Sequence, residues 1–289
     1  MTLKQFVDKA TRDLSELYPE AEAKSMAVRL VSHYLKLPGY SYLSDPDRMI
    51  SVDEEQSLNR ALAELLKWRP LQYVLGFSEF GGRRFKVREG VLIPRPETEE
   101  LFGIIIDDFS VKELDEEQEF NILDVCTGSG CLAWSLAAEL PGAQLFGCDI
   151  SEEALKIAGK QKVKSEEGPV RRPVFFWADV LGTPPAGLPQ FDVIVSNPPY
   201  VLESERSQMR PNVLDYEPAM ALFVPDDDPL LYYRALKCWV EKLLKKEGVC
   251  YFEVNEAFGN EVAALFSPDS VVLQDINGCN RFVKYIYKL

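Results

Sequence analysis

A buried strand, a glycine-rich turn and the start of a helix follow one another in Ile122-Leu123-Asp124-Val125-Cys126-Thr127-Gly128-Ser129-Gly130. The apolar run has the composition of a strand that is covered on both faces, as in a parallel sheet. The glycines allow a tight turn and close approach of a ligand, and the helix that follows offers free N–H groups at its N-terminus. Taken alone, the pattern would also suit a nicotinamide dinucleotide, so it predicts a ligand-binding turn without naming the ligand.

Strands and helices alternate through the rest of the chain. Strands are predicted at 122–125, 144–149, 174–178, 192–196, 249–254, 271–276 and 281–287. Helices are predicted at 130–140, 151–165, 229–246 and 256–266. Alternation at this spacing predicts an α/β fold with a seven-stranded, doubly wound (Rossmann-like) sheet. The last two strands are expected to form an antiparallel pair around Asn277-Gly278.

The first 94 residues have a different pattern. Apolar residues at helical spacing predict amphipathic helices at 3–17 and 20–36, and a capping box at Ser51 starts a third helix that runs to Pro70. This predicts a small helical domain at 1–75. Gly81-Gly82 lies between short apolar runs, and 76–94 is therefore predicted to be a β-hairpin linker, with a third segment at 95–289.

Polar side chains end the successive predicted strands. Asp149 ends the second, Asp179 ends the third, and an asparagine follows the fourth. The carboxyl ends of parallel strands open into one crevice, where open α/β sheets bind their ligands. A carboxylate at Asp149 can accept bonds from both hydroxyls of a ribose, and Asp179 would be within reach of an adenine edge. Each could instead be an ordinary turn carboxylate.

The turn Asn197-Pro198-Pro199-Tyr200 follows the apolar run 191–196. Two prolines cannot continue a central strand, and each residue before a proline is held in extended geometry. The result is a stiff turn with an amide side chain, unused backbone carbonyls and an aromatic ring. It can accept both N–H bonds of a planar NH2 group and place a ring against it. A loop that merely ends the strand, with a structural tyrosine, is the alternative.

Composition narrows the classes of function. The net charge of −14 weighs against a nucleic-acid backbone as the main source of affinity, and direct nucleic-acid binding is not expected. The acidic run 113–119 is interpreted as a solvated loop. Six cysteines without a CxxC pair indicate reduced thiols and no metal site.

His33, the only histidine in the sequence, lies in a helical stretch, which argues against histidine-dependent catalysis. No signal peptide or membrane-spanning run is found, so a cytoplasmic location without membrane association is expected.

The combined motifs resemble those of class I S-adenosylmethionine-dependent methyltransferases. The whole chain resembles the family of protein-(glutamine-N5) methyltransferases that modify peptide chain release factors. The resemblance rests on Ile93-Pro94-Arg95-Pro96-Glu97-Thr98-Glu99, Thr127 to Gly130, Asp149, Asn197 to Tyr200, and Tyr216-Glu217-Pro218. Asn-Pro-Pro-Tyr alone is shared with enzymes that methylate adenine or guanine amines, whereas its combination with the segment at 93–99 is selective.

The resemblance implies that S-adenosyl-L-methionine is the cofactor and that the glutamine of the Gly-Gly-Gln loop of a release factor is the substrate. The implied cofactor-binding residues, with Asp179 added from the strand-end argument, are Cys126, Thr127, Gly128, Ser129, Gly130, Asp149, Asp179, Val180 and Asn197. The implied glutamine-binding residues are Asn197, Pro198, Pro199 and Tyr200. Of these, Asn197, Pro198 and Tyr200 are expected to be catalytic. Residues 1–75 would then recognise the substrate and 95–289 would form the methyltransferase domain.

Two positions depart from the family pattern. Cys126 stands where the family usually has glycine, and Val180 stands where relatives can have an aromatic residue. Three other functions stay open: a glutamine methyltransferase of a ribosomal protein, a DNA or rRNA exocyclic-amine methyltransferase, and a cofactor-binding scaffold without activity.

Overall fold

A computed structural model of the protein describes residues 1–109, 119–165 and 168–288. The helices are α1 (Leu3–Leu14), α2 (Glu20–Leu35), α3 (Ser41–Ser44), α4 (Val52–Leu65), α5 (Leu71–Leu75), α6 (Pro96–Phe109), α7 (Cys131–Glu139), α8 (Glu152–Ala158), α9 (Pro211–Leu214), α10 (Leu231–Leu243) and α11 (Gly259–Phe266). The strands are β1 (Phe77–Phe80), β2 (Arg83–Lys86), β3 (Phe120–Val125), β4 (Ala143–Asp149), β5 (Val174–Trp177), β6 (Phe191–Ser196), β7 (Val201–Leu202), β8 (Phe223–Val224), β9 (Leu244–Glu253), β10 (Val271–Gln274) and β11 (Asn280–Ile286). The acidic run predicted to be a solvated loop lies outside the described residues, except for Glu119.

Seven strands form the main sheet in the order β10-β11-β9-β6-β3-β4-β5. The strands β5, β4, β3, β6 and β9 pair in parallel, and β11 is antiparallel to both β9 and β10. This confirms the predicted fold class, the seven strands and the antiparallel closing pair. A separate two-stranded sheet joins β1 and β2 around Gly81-Gly82.

The strand order creates a switch point between β3 and β6. From β3 the chain moves outward through β4 and β5, then crosses back to place β6 on the other side of β3. Connections leave these two neighbouring strands in opposite directions, and a crevice opens at their carboxyl ends. The glycine turn follows β3 and the turn that starts at Asn197 follows β6. The fold therefore brings the two most distinctive turns of the sequence to one crevice.

Two apolar layers cover the sheet. One packs α10 and α11 against it, with Trp239, Leu236 and Val262 fully buried. The other packs α6 and α7 against the opposite face, where Leu101 and Leu136 are fully buried. Burial on both faces explains why β3 and β6 read as continuous apolar runs.

Contacts divide the chain into two compact units. The first comprises Met1–Phe77 with Arg210–Tyr216, and the second comprises Ser78–Met209 with Glu217–Leu289. Helices α1, α2 and α4 form a separate core in the first unit. The contribution of residues 210–216 to that unit had no signal in the sequence.

Four predicted helices end three or more residues earlier than the periodicity indicated, and the one predicted at 3–17 ends at Leu14. The helix predicted to reach residue 165 ends at Ala158, where Gly159 is its C-cap. The helix predicted to reach Pro70 stops at Leu65, because Trp68 adopts a left-handed backbone with φ of 67° and Pro70 starts the separate helix α5. The helix predicted to reach residue 246 ends at Leu243. Leu244 instead pairs with Phe191 of β6, so β9 begins before the apolar part of the predicted strand.

Candidate active site

A cleft opens at the carboxyl ends of β3, β4, β5 and β6. Seven of the residues predicted from the sequence line it: Cys126, Gly128, Asp149, Asp179, Val180, Asn197 and Pro199. The remaining lining comes mainly from the segment 90–92, the start of α8, and residues 218–221. Five predicted residues do not line the cleft: Thr127, Ser129, Gly130, Pro198 and Tyr200.

The glycine turn presents its backbone to the cleft. Gly128 has φ of +54°, and no atom lies within 4 Å of the place where a Cβ would stand. This open face of the backbone can be approached closely by a ligand. Cys126 has φ of 62°, so the turn keeps the left-handed conformation that glycine favours even though a cysteine stands there. Burial raises the pKa of the Cys126 thiol, which keeps this cleft residue in its neutral form.

The turn residues outside the cleft hold its shape. The Thr127 hydroxyl donates to Asp124 Oδ2 at 2.5 Å, and the Ser129 carbonyl accepts from Gln161 Nε2 at 3.0 Å. Gly130, with φ of +76°, lies against Ala158 so closely that a Cβ would come within 2.8 Å of the alanine Cβ. Burial raises the pKa of Asp124 to about 7, against the effect of the Thr127 hydroxyl. These contacts fix the turn on the side that faces away from the cleft, and they leave Gly128 at the surface of the cleft.

Asp149 anchors one wall of the cleft. Its Oδ2 accepts from Gly128 N at 2.9 Å and its Oδ1 accepts from Ser151 N at 2.8 Å. Burial raises the pKa of this carboxyl, while the two backbone donors act in the opposite direction. An ionised carboxylate has about four acceptor positions, so Asp149 can still accept bonds from a ligand.

Next to Asp149, the cleft lining forms an apolar slot. Ala178 and Val180 are buried in it, and Tyr232 contributes a ring from α10. Asp179 lies between the first two, and its Oδ1 accepts from Leu181 N at 2.9 Å. A flat, apolar group with a polar edge would match these surroundings.

The turn after β6 carries an oriented amide. Asn197 Nδ2 donates to Thr98 Oγ1 at 2.9 Å. Within 1–109, 119–165 and 168–288, no group donates to Asn197 Oδ1 or to the carbonyl of Pro198. The Tyr200 hydroxyl donates to Glu253 Oε1 at 2.8 Å, which fixes the ring. The turn therefore offers two acceptors beside a held aromatic ring.

Sequence reasoning missed Thr98 and Glu253. Glu253 is fully buried at the end of β9, next to Asn197, because Phe252 pairs with Ser196 in the parallel ladder. The sequence contained a signal for Glu253, because it is a carboxylate at the end of a buried strand, which is the pattern that identified Asp149. Thr98 was quoted only as part of a motif, and its position in the first turn of α6 puts its hydroxyl 2.7 Å from Glu253 Oε2.

A third missed residue is Glu217, whose side chain is 1% exposed. Its Oε1 accepts from Arg95 Nη2 at 2.7 Å and its Oε2 accepts from Ile93 N at 3.0 Å. Two motifs that are more than a hundred residues apart in sequence, at 93–99 and 216–218, are thus joined by one carboxylate. It fixes the segment that leads into α6, which carries Thr98.

We expect Glu217→Ala to lower the free energy of unfolding by about 1–3 kcal/mol, because it leaves a buried N–H and a guanidinium without their acceptor. Glu152→Ala is the matched control, since the Glu152 side chain is 76% exposed and its ion pair is with the exposed Lys156. It should change stability by less than about 0.5 kcal/mol. Urea unfolding followed by circular dichroism measures both. Equal effects of the two substitutions would contradict the role assigned to Glu217.

The described residues contain neither a candidate membrane span nor a candidate metal site. No described helix is long and apolar enough to cross a bilayer. In the same parts of the chain, no group of three or more His, Cys, Asp or Glu side chains is placed to hold a metal ion. The described cysteines are all free thiols.

Comparison with known proteins places these features in a family. The family model "Methyltransferase small domain" matches residues 107–214, and "PrmC N-terminal domain" matches residues 5–76. The release factor glutamine methyltransferase of Bacteroides thetaiotaomicron is 40% identical, over 94% of this chain and 95% of its own. That of Flavobacterium psychrophilum is 35% identical over the full length of both chains, and that of Chlorobaculum tepidum is 37% identical over 90% and 89%. With this similarity along almost its entire length, the chain belongs to the release factor glutamine methyltransferase family.

Proposed function

We propose that the protein transfers a methyl group from S-adenosyl-L-methionine to the side-chain amide nitrogen (N5) of the glutamine in the Gly-Gly-Gln loop of peptide chain release factors. The observation that carries this proposal is the pair of acceptors at Asn197 Oδ1 and the Pro198 carbonyl, neither of which has a donor among the described residues. A primary amide has two N–H bonds, and this pair can accept both. The enzyme is a methyltransferase, and S-adenosyl-L-methionine is its methyl donor.

The cleft residues fit the parts of the cofactor. Asp149 has acceptor positions left for the ribose hydroxyls, and the open backbone of Gly128 leaves room beside it. The apolar slot around Val180 suits the adenine ring, with Asp179 at its polar edge. We therefore assign cofactor binding to these residues together with Cys126 and to the turn behind them.

The chain's own contribution to the reaction is to place the nucleophile. The cofactor supplies an already activated methyl group as a sulfonium. An amide nitrogen is a weak nucleophile, because its lone pair is delocalised into the carbonyl. Acceptance of its two N–H bonds by Asn197 Oδ1 and Pro198 O would fix the nitrogen's direction and increase its electron density. The Tyr200 ring would pack against the amide plane and exclude water, with Pro199 completing the turn.

We expect Asp149→Asn to weaken binding of S-adenosyl-L-methionine by roughly 10–100-fold, the loss that one or two charge-assisted hydrogen bonds predict. The amide group would also set an NH2 against the N–H of Gly128 or Ser151, which are both donors. Asp227→Asn, at an exposed position, is the control and should bind normally. Isothermal titration calorimetry measures both. Unchanged affinity in Asp149→Asn would remove this residue from the cofactor site.

The test described below also includes two other classes of substrate. A ribosomal-protein glutamine would present the same amide, and an exocyclic amine of DNA or rRNA would present the same NH2 group. The net charge of −14 weighs against the nucleic acid, and the full-length similarity to release factor enzymes weighs against both.

The experiment is transfer of labelled methyl from S-adenosyl-L-methionine to three purified acceptors: a release factor, ribosomal proteins and nucleic acid. A release factor whose Gly-Gly-Gln glutamine is replaced by alanine is the control. The proposal predicts label in the intact release factor and none in the control. Label that appears only in ribosomal protein or only in nucleic acid would overturn it. A cytoplasmic location follows from the same proposal, because the substrate is a translation factor.

A further inference from the structure

Four side chains form a hydrogen-bonded chain behind the amide-binding turn. Asn197 Nδ2 donates to Thr98 Oγ1 at 2.9 Å, and Thr98 Oγ1 donates to Glu253 Oε2 at 2.7 Å. The other carboxylate oxygen, Glu253 Oε1, accepts from the Tyr200 hydroxyl at 2.8 Å. Glu253 has no exposed surface and Thr98 is 7% exposed, so water does not compete for these bonds. One buried carboxylate is thus joined to two residues of the turn.

The chemistry of this chain sets the direction of the Asn197 amide. A hydroxyl has one hydrogen, and an ionised carboxylate can only accept. The Thr98 hydrogen therefore goes to Glu253, and Thr98 must use a lone pair toward Asn197. Only the NH2 end of the asparagine can satisfy that lone pair. Oδ1 is consequently the end that is left for a ligand.

We propose that Glu253 and Thr98 are positioning residues, which keep Asn197 Oδ1 directed at the substrate nitrogen and hold the Tyr200 ring. This inference deepens the proposed function and rests on it. Without the carboxylate, the Thr98 hydrogen can turn toward Asn197 and stabilise the reversed amide. A reversed amide would present NH2 to the substrate NH2, and two donors cannot pair.

Ionisation of Glu253 should control this arrangement. Burial raises the pKa of its carboxyl to about 7, while the hydroxyls of Thr98 and Tyr200 act to lower it. Glu97 raises this pKa further and Arg281 lowers it, and the buried Tyr233 hydroxyl donates to the backbone carbonyl of Glu253 at 2.9 Å. Below this pKa the carboxyl carries a proton that it can donate to Thr98. We therefore expect kcat to fall as the pH drops through about 7.

The first test compares two substitutions at Thr98. Thr98→Val keeps the shape and removes the hydroxyl, whereas Thr98→Ser keeps the hydroxyl. We expect Thr98→Val to lower kcat for release factor methylation by about 10²-fold, the size of effect seen when one oriented hydrogen bond is lost from a reactive site. The affinity for S-adenosyl-L-methionine should stay within about threefold, because Thr98 does not line the cleft. Thr98→Ser should restore kcat to within roughly fivefold of the wild type. Equal kcat in Thr98→Val and wild type would overturn the inference.

The second test uses the pH profile. Glu253→Gln cannot ionise, so its kcat should lose the acidic limb that the wild type shows near pH 7. Asp124 is the other buried carboxyl whose pKa is raised to about 7. A limb that persists unchanged in Glu253→Gln would assign the ionisation to Asp124 or another group and would overturn the role of Glu253.

A third readout does not depend on turnover. In protein labelled with ¹⁵N-asparagine, the Asn197 side-chain signal is identified by its absence in Asn197→Ala. Its chemical shift should titrate with a midpoint near 7 in the wild type and stay constant in Glu253→Gln. An Asn197 signal that does not titrate in the wild type would overturn the inference. Failure of the wild type to methylate a release factor would contradict the proposed function. The titration would still show separately whether ionisation of Glu253 acts on Asn197.

Discussion

Asn197→Ala is expected to lower kcat for methylation of the release factor by about 10²–10³-fold while leaving the binding of S-adenosyl-L-methionine nearly intact. The substitution removes Oδ1, one of the two acceptors that we assign to the substrate amide, and it also releases Thr98 Oγ1 from its bond to Nδ2. Loss of an oriented acceptor of this kind costs about 10²–10³ in kcat. Because the effect falls on positioning and not on cofactor binding, kcat should change far more than the dissociation constant of the cofactor.

The matched control for this prediction is Asn260→Ala, at an exposed position on α11. Single-turnover kinetics with labelled methyl donor measures the transfer step, and calorimetry measures cofactor binding. The control should behave as the wild type in both. If Asn197→Ala transfers methyl at near the wild-type rate, Asn197 does not hold the nucleophile.

Gly130→Ala is expected to destabilise the protein by about 2–5 kcal/mol. An alanine at φ of +76° pays about 1–2 kcal/mol for the left-handed backbone. Its Cβ would also lie 2.8 Å from the Cβ of Ala158 and 3.1 Å from the ring of Phe175, and overpacking of this kind costs about 1–3 kcal/mol. Relief of these contacts requires α8 or β5 to move away from the turn after β3, so cofactor affinity should fall as well.

Gly278→Ala separates the two contributions. Gly278 has φ of +81°, but no atom lies within 4 Å of the place where its Cβ would stand. This variant should therefore show only the backbone cost of about 1–2 kcal/mol. Urea unfolding of both variants measures the difference. Equal destabilisation by the two substitutions would mean that the contacts with Ala158 and Phe175 do not constrain the turn.

The fold could be predicted because its signals are local. The apolar runs before Cys126 and Asn197 identify β3 and β6, and a polar residue at the end of a parallel strand identifies the edge of the sheet where the cleft opens. Asp149 and Asp179 were placed by the same rule, and both line the cleft. Glu253 obeys the rule too, and applying it to β9 would have found this residue.

The supporting contacts could not be predicted, because they join residues far apart in sequence. Glu253 and Thr98 are 155 positions apart, and Glu217 is 124 positions from Ile93. Which partner each carboxylate meets depends on the strand order and on the position of α6, and no local pattern carries that information. The glycine turn illustrates the same limit. Its pattern located the turn after β3, but it did not show that Gly128 faces the cleft while Gly130 packs against α8.

The most direct measurement is a crystal structure of the enzyme with S-adenosyl-L-homocysteine and a release factor whose Gly-Gly-Gln loop is intact. We predict that the glutamine side-chain nitrogen lies within hydrogen-bond distance of both Asn197 Oδ1 and the Pro198 carbonyl, with Asn197 Nδ2 still donating to Thr98. A glutamine held elsewhere, or an amide nitrogen bonded to neither acceptor, would contradict it.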